Sequence, residues 1–159
     1  MSVPRLDVSV CALYHAVLTS WNARDAAAFA EHCSADGSVV GFDGSLLDGA
    51  VAIEASLAQI FAHHQTAPYV GIVRVVRQLA EDVMMLSALV GMVPPGKTEI
   101  NPAVNAIQTL VAARQNGIWR ITLLQTTPAA FHGRPEAQAE LTAQLQSAYQ
   151  ARGLGAPLA

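Results

Sequence analysis

The side chains in this chain that could move a proton or hold a polar group are few and far apart. Tyr14 lies on an apolar helical stripe, where a phenol serves either as a donor inside a pocket or as a core residue with a satisfied hydroxyl. Asp43 precedes Gly44, so it is either a general base at a strand end or the aspartate of a turn. Asn105 and Gln125 carry neutral amides that can orient a carbonyl or hydroxyl without transferring a proton, or can bond loop backbone instead. Imidazole titrates near neutral pH, which makes His63, His64 and His132 acid–base candidates. The first two sit at a predicted helix end, where simple solvation explains them as well, and His132 falls in a predicted loop that could close a pocket mouth. Trp21, Phe29, Phe61 and Met92 are core or pocket wall, two roles that sequence does not separate.

Other chemistries lack their signatures. Five histidines without paired carboxylate spacing do not form a metal-ligand pattern. Neither cysteine nor any serine stands in a nucleophile motif, and no glycine-rich phosphate or dinucleotide loop is visible. Neither a metal nor a cofactor is expected.

The elements that must position these residues can be read from periodicity. Cys11, Tyr14, Leu18 and Trp21 recur at helical spacing and predict a helix over 7–21. Asp25 would cap a short second helix over 26–33, anchored by Phe29. Asp36-Gly37 signals a turn before a short strand over 38–42, which ends at Asp43-Gly44. Asp48 would cap a third helix over 49–64, with Ile53, Leu57, Ile60 and Phe61 on one face. Two long β-rich runs over 69–79 and 83–93 form a hairpin, and a second pair over 103–114 and 118–127 turns at Asn116-Gly117. Strand parity puts Asn105, Ile107 and Thr109 on one face and Ala106, Gln108 and Leu110 on the other. Pro135-Glu136 opens a terminal helix that Gly153 ends. Helices segregated from strands argue an α+β fold, one domain over 7–150, with 151–159 as a flexible tail.

Composition limits what such a domain can do. Its 159 residues are 52% hydrophobic and 13% charged, and the charged share is about half the usual ~25%. Part of the surface is therefore expected to be covered by another subunit, through a sheet face whose strands are apolar on both sides. Nine basic residues against twelve acidic ones, scattered along the chain, disfavour nucleic acid as a partner. Cys11 and Cys33 read as reduced core thiols. No run approaches the ~20 apolar residues that span a bilayer, so no membrane partner and a cytoplasmic location are expected.

The order of elements resembles the nuclear transport factor two-like superfamily. The matching residues are Trp21-Asn22-Ala23-Arg24-Asp25, Phe29, Asp36-Gly37-Ser38-Val39-Val40 and Asn116-Gly117-Ile118-Trp119-Arg120-Ile121. Within it, the chain is similar to SnoaL-like proteins of the SgcJ/EcaC type through Val40-Gly41-Phe42-Asp43-Gly44-Ser45, Gly91-Met92-Val93-Pro94-Pro95-Gly96, Asn101-Pro102-Ala103-Val104-Asn105-Ala106 and the segment 125–135. Thr126 stands where that group more often carries asparagine.

The resemblance implies a cone-shaped barrel, with three N-terminal helices on a strongly curved, mainly antiparallel sheet and a C-terminal helix. It also implies a homodimer with an apolar pocket in each subunit, acting in bacterial polyketide or enediyne-like secondary metabolism. A steroid-isomerase-like reaction in this fold needs a carboxylate base on the first strand, and the matching position here is Gly41. Two functions stay open: a cofactor-independent binding protein or enzyme of cyclase, isomerase or tailoring type, with Tyr14, Asn105 and Gln125 orienting an apolar small molecule, and a non-catalytic dimeric association module.

Overall fold

A computed structural model of the chain describes residues 8–154. The elements run α1 (Val8–Asn22), α2 (Ala26–Glu31), β1 (Cys33–Val40), β2 (Leu46–Asp48), α3 (Ala50–His63), β3 (Tyr69–Ala80), β4 (Val83–Met92), β5 (Ala106–Gln115), β6 (Ile118–Pro128) and α4 (Pro135–Arg152), with a 3-10 turn at Pro102–Val104. The six strands form one mixed sheet in the order β2-β1-β6-β5-β4-β3. All neighbours are antiparallel except β1 and β6. The fold is α+β, but its sheet is not closed: β2 and β3 are the two edges, so the structure is a curved open cone and not a barrel.

Strand alternation divides the molecule. Leu86 on β4, Leu110 on β5 and Ile121 on β6 are fully buried among Tyr14, Val17, Phe29, Ile53 and Leu57 of α1, α2 and α3. On the opposite face α4 packs Leu141 and Leu145 against Val70, Val93 and Ile100. Register shifts in β1, β3 and the β5–β6 ladder bend the strands around the three helices, as β-bulges do.

Local chemistry explains the boundaries, including several that differ from expectation. Asp25 caps α2 by accepting from the Ala28 N–H at 3.0 Å, but the helix stops at Glu31 and Cys33 already belongs to β1. Asp36-Gly37 is not a turn. It lies within β1, where a Cβ on Gly37 would stand 2.6 Å from the Ile121 carbonyl oxygen, so glycine is needed for close approach to β6. Asp48 does not cap α3; it ends the short strand β2 and accepts from Ser38 Oγ at 2.8 Å across the hairpin, while Gly49, at φ 95°, precedes the helix.

The two long hairpins stand as expected. Asn116 and Gly117 both adopt positive φ (54° and 76°), as a two-residue type I′ turn requires. The strand expected from residue 103 begins at Ala106, because Asn101 accepts from the Ala103 N–H and winds the chain into the 3-10 turn first. The expected tail is helical to Arg152; residue 7 and residues 155–159 of the expected domain and tail lie outside the described residues. Cys11 and Cys33 are both buried, and no described helix is long and apolar enough to cross a membrane.

Candidate functional site

The end of α1 is built to hold one corner of a cavity. Asn22 accepts from the Tyr69 N–H at 2.8 Å and donates to the Tyr69 carbonyl at 3.1 Å, so a helix side chain occupies the place of a strand partner at the start of β3. Trp21 donates from Nε1 to the Ala67 carbonyl at 2.9 Å, and its ring lies 5.2 Å from those of Phe61 and Tyr69. Arg24, held at positive φ (58°), donates to the Phe61 and His64 carbonyls and to Thr66 Oγ1, which fastens the α1–α2 turn to the end of α3.

These contacts leave a cavity of about 340 Å³ between the helices and the inner faces of β1, β5 and β6. Its wall is apolar, formed by Val17, Leu18, Trp21, Phe29, Leu57 and Leu124 among others, and its size suits a molecule of a few fused rings. Gly41, Phe42, Asp43 and Ser45 of the β1–β2 turn also line it. Phe42 is exposed there, so this turn forms the mouth.

Three polar side chains face the cavity from within: Tyr69, Gln108 and Thr126. Tyr14, fully buried behind them, donates its hydroxyl to Gln108 Oε1 at 2.6 Å, and Gln108 Nε2 donates to Thr126 Oγ1 at 3.2 Å. Burial, with a smaller contribution from neighbouring Tyr69, raises the Tyr14 pKa well above that of a free phenol. Burial alone pushes Tyr69 up to about 12. Both phenols therefore stay protonated at physiological pH and are unsuited to act as bases; Tyr14 gives its one hydrogen to Gln108, and of the two only Tyr69, which lines the cavity, is placed to orient a carbonyl oxygen.

The candidates named from sequence divide sharply. Trp21, Phe29, Met92 and Asp43 line the cavity, Phe61 buttresses Trp21 from behind, and Tyr14 reaches the cavity through Gln108. Asn105 does not: it precedes β5, and its amide donates to Thr142 on α4 at 2.8 Å, on the far side of the sheet. Gln125 is exposed on the outer face, because the cone takes the Leu124 and Thr126 side of β6.

His64 follows α3 as an exposed residue whose carbonyl, not its ring, is engaged, and His63 and His132 are exposed outside the cavity. Asp43 accepts from the Ser45 N–H at 2.9 Å, the bond that chiefly lowers its pKa. That contact belongs to the turn reading. Sequence reasoning did not choose Tyr69, Gln108 or Thr126. Parity had placed Gln108 opposite Asn105, so one observation of which face meets Tyr14 was the missing signal.

Among the described residues no three His, Cys, Asp or Glu side chains gather closely enough to hold a metal ion. A broader surface groove of about 860 Å³ runs between the 98–102 segment and α4, but it contains none of the cavity's hydroxyl relay.

Comparison with known structures agrees with this architecture. A protein of unknown function with a cystatin-like fold from Nostoc punctiforme superposes with a TM-score of 0.75 at 21% identity, covering 94% of this chain and 99% of its own. Aln2 from a Streptomyces species gives 0.64 at 18% identity, covering 82% and 99%. A protein from Thiobacillus denitrificans, provisionally described as a calcium/calmodulin-dependent protein kinase type II association domain, gives 0.67 at 16% identity, covering 79% and 98%. At these identities the likeness is one of fold. No curated protein matches the sequence. The profile of the SnoaL-like domain matches residues 10–129, from the first turns of α1 to just beyond β6 and so across every element that builds the cavity, and the chain belongs to that family.

Proposed function

We propose that this chain is a cofactor-independent small-molecule-binding protein of bacterial secondary metabolism, holding an apolar, ring-containing ligand of polyketide type in the cone of each subunit of a cytoplasmic homodimer. One observation carries the reading: an apolar cavity of about 340 Å³ has a single inner corner of neutral hydrogen-bond donors, backed by the buried Tyr14–Gln108–Thr126 relay. A carbonyl oxygen placed at that corner is polarised without proton transfer, which is how preorganised donors assist cyclisation or isomerisation. The polyketide class rests on the family resemblance. The dimer rests on the outer sheet face, where Met85, Ile107, Val111 and Leu123 remain half-exposed in the single chain.

A second reading, a non-catalytic association module, is favoured by the composition of the cavity wall. Its one carboxylate is Asp43, already committed to a turn, and no histidine joins it. Native mass spectrometry of gently purified protein, with and without the neutral apolar dye Nile red, tests the proposal. A dimer that carries a discrete small molecule or binds about one dye per subunit is the expected result. A dimer that takes up neither supports the association module instead, and a monomer overturns the dimer.

A further inference from the structure

The polar corner of the cavity has a fixed hydrogen-bond direction, and its origin lies one layer behind the wall. Tyr14 is 0% exposed, so its hydroxyl hydrogen must find an acceptor inside the protein, and that acceptor is Gln108 Oε1. A carboxamide has one oxygen and one nitrogen end. With the oxygen held by Tyr14, the nitrogen is turned towards Thr126, where it donates. Thr126 Oγ1 thus accepts from within the protein. Its own hydrogen has no protein acceptor among the described residues and is left for the cavity that Thr126 lines.

We propose that Tyr14 is a positioning residue that, acting through Gln108, makes Thr126 a donor towards the cavity, so that the pocket selects a ligand whose inner end is a carbonyl oxygen over one ending in a hydroxyl. The inference rests on the pocket reading above. A ketone oxygen accepts the Thr126 hydrogen and brings no donor of its own. An alcohol oxygen accepts the same hydrogen but buries an O–H that the relay gives nothing to bond, and an unmade buried bond is costly. Without the Tyr14 hydroxyl, the Gln108 amide is free to reverse and Thr126 to donate back to it, which leaves Thr126 able to receive the alcohol's hydrogen. The high pKa of Tyr14 keeps the proton on the phenol throughout this cycle.

Fluorenone and fluorenol share one tricyclic frame and differ only at C9, a planar ketone in one and a tetrahedral secondary alcohol in the other, so isothermal titration of both into wild type and Tyr14→Phe reads the relay from the change in their affinity ratio between the two proteins. Wild type is expected to bind the ketone more tightly by about fivefold or more, and Tyr14→Phe to bring the ratio close to one. Tyr69, whose hydroxyl can donate or accept, is common to both proteins, so the change in ratio isolates Tyr14. A wild-type ratio near one, or the same preference in both proteins, overturns the relay and leaves the pocket standing. Failure of wild type to bind either compound overturns the pocket reading and the relay with it. Should Tyr14→Phe fold too poorly to titrate, Gln108→Met cuts the relay at its middle with side-chain length kept, and its ratio is read in the same way.

Discussion

Adjacent rungs of the β5–β6 ladder carry the same two residue types on opposite faces of the sheet. Gln108 pairs with Thr126, and one step along Thr109 pairs with Gln125. The inner pair is 2% and 8% exposed, bonded together and to Tyr14; in the outer pair Thr109 is half-buried and Gln125 exposed. Identical chemistry thus becomes a polarised corner in one place and solvated surface in the other. Parity and burial, not residue type, decide which, because a polar group excluded from water must complete its bonds within the protein and thereby acquires a fixed direction.

The largest break in that comparison comes from alanine at each glutamine. Gln108→Ala leaves the fully buried Tyr14 hydroxyl without its acceptor and is expected to cost about 2–3 kcal/mol. Gln125→Ala is expected to stay within about 0.5 kcal/mol. Urea unfolding, with the midpoint compared at constant slope, measures both. Equal losses would mean that the two rungs are energetically alike and that the relay contributes nothing to the fold.

A smaller effect distinguishes the two threonines through ligand affinity. Thr126→Val keeps shape but removes the hydrogen offered to the cavity, and fluorenone binding is expected to weaken about fivefold. Thr109→Val makes the same change on the outer face and should leave the affinity as it was. Titration of the paired variants checks this, and weakening by Thr109→Val would place the ligand on the wrong side of the sheet.

The rungs also show what could be read from the sequence and what could not. The stripe of α1, the cap of α2 and the Asn116-Gly117 hairpin are written in neighbouring residues, and the structure has them where the pattern put them. The parity of β5 was equally legible, since Gln108 and Leu110 do share a face opposite Ile107 and Thr109. Which of those faces meets the helices depends on contacts far apart in the chain: Tyr14 and Gln108 are 94 residues apart.

Asn105 falls in the wrong set when Asn101-Pro102 is taken as loop leading straight into strand: an N-cap asparagine followed by proline opens a 3-10 turn there, and that turn delivers the Asn105 amide to α4. Strand β2 was hidden by its three residues, two of them exposed. The glycine of Asp36-Gly37 looked like a turn because close backbone approach and turn geometry call for the same residue.

Titration extends the comparison to alkaline pH, with a more gradual effect. Tyr69 is raised from 10.0 to about 12, Cys33 from 9.0 to about 11, both by burial, and Tyr14 moves the same way. Each group stays protonated in the folded chain at a pH where the unfolded chain has already released its proton. The stabilisation is therefore complete below the unfolded values and is lost as pH rises through the folded ones. Unfolding midpoints are expected to begin falling near the ordinary thiol value of 9.0 and more steeply beyond the phenol value of 10.0. Tyr69→Phe should flatten the upper part of that fall, and a profile indifferent to the substitution would show that the inner phenol is not held from water.

The smallest effect is expected at the mouth, from Asp43→Asn. Asp43 is exposed, and its pKa is lowered chiefly by the Ser45 backbone N–H it accepts, so at neutral pH it is a solvated carboxylate of low basicity. A general base works best with a pKa near the operating pH, and this environment moves Asp43 the other way. Asparagine keeps an oxygen for the same N–H and is itself favoured in such turns, so the β1–β2 connection should survive. Thermal midpoint and fluorenone affinity are expected to match wild type. A variant that keeps both but loses turnover of a co-purifying ligand would make Asp43 the proton acceptor after all. The chemistry would then belong to the solvated mouth, with the Tyr14 relay serving only to hold the inner end of the substrate while its outer end reacts.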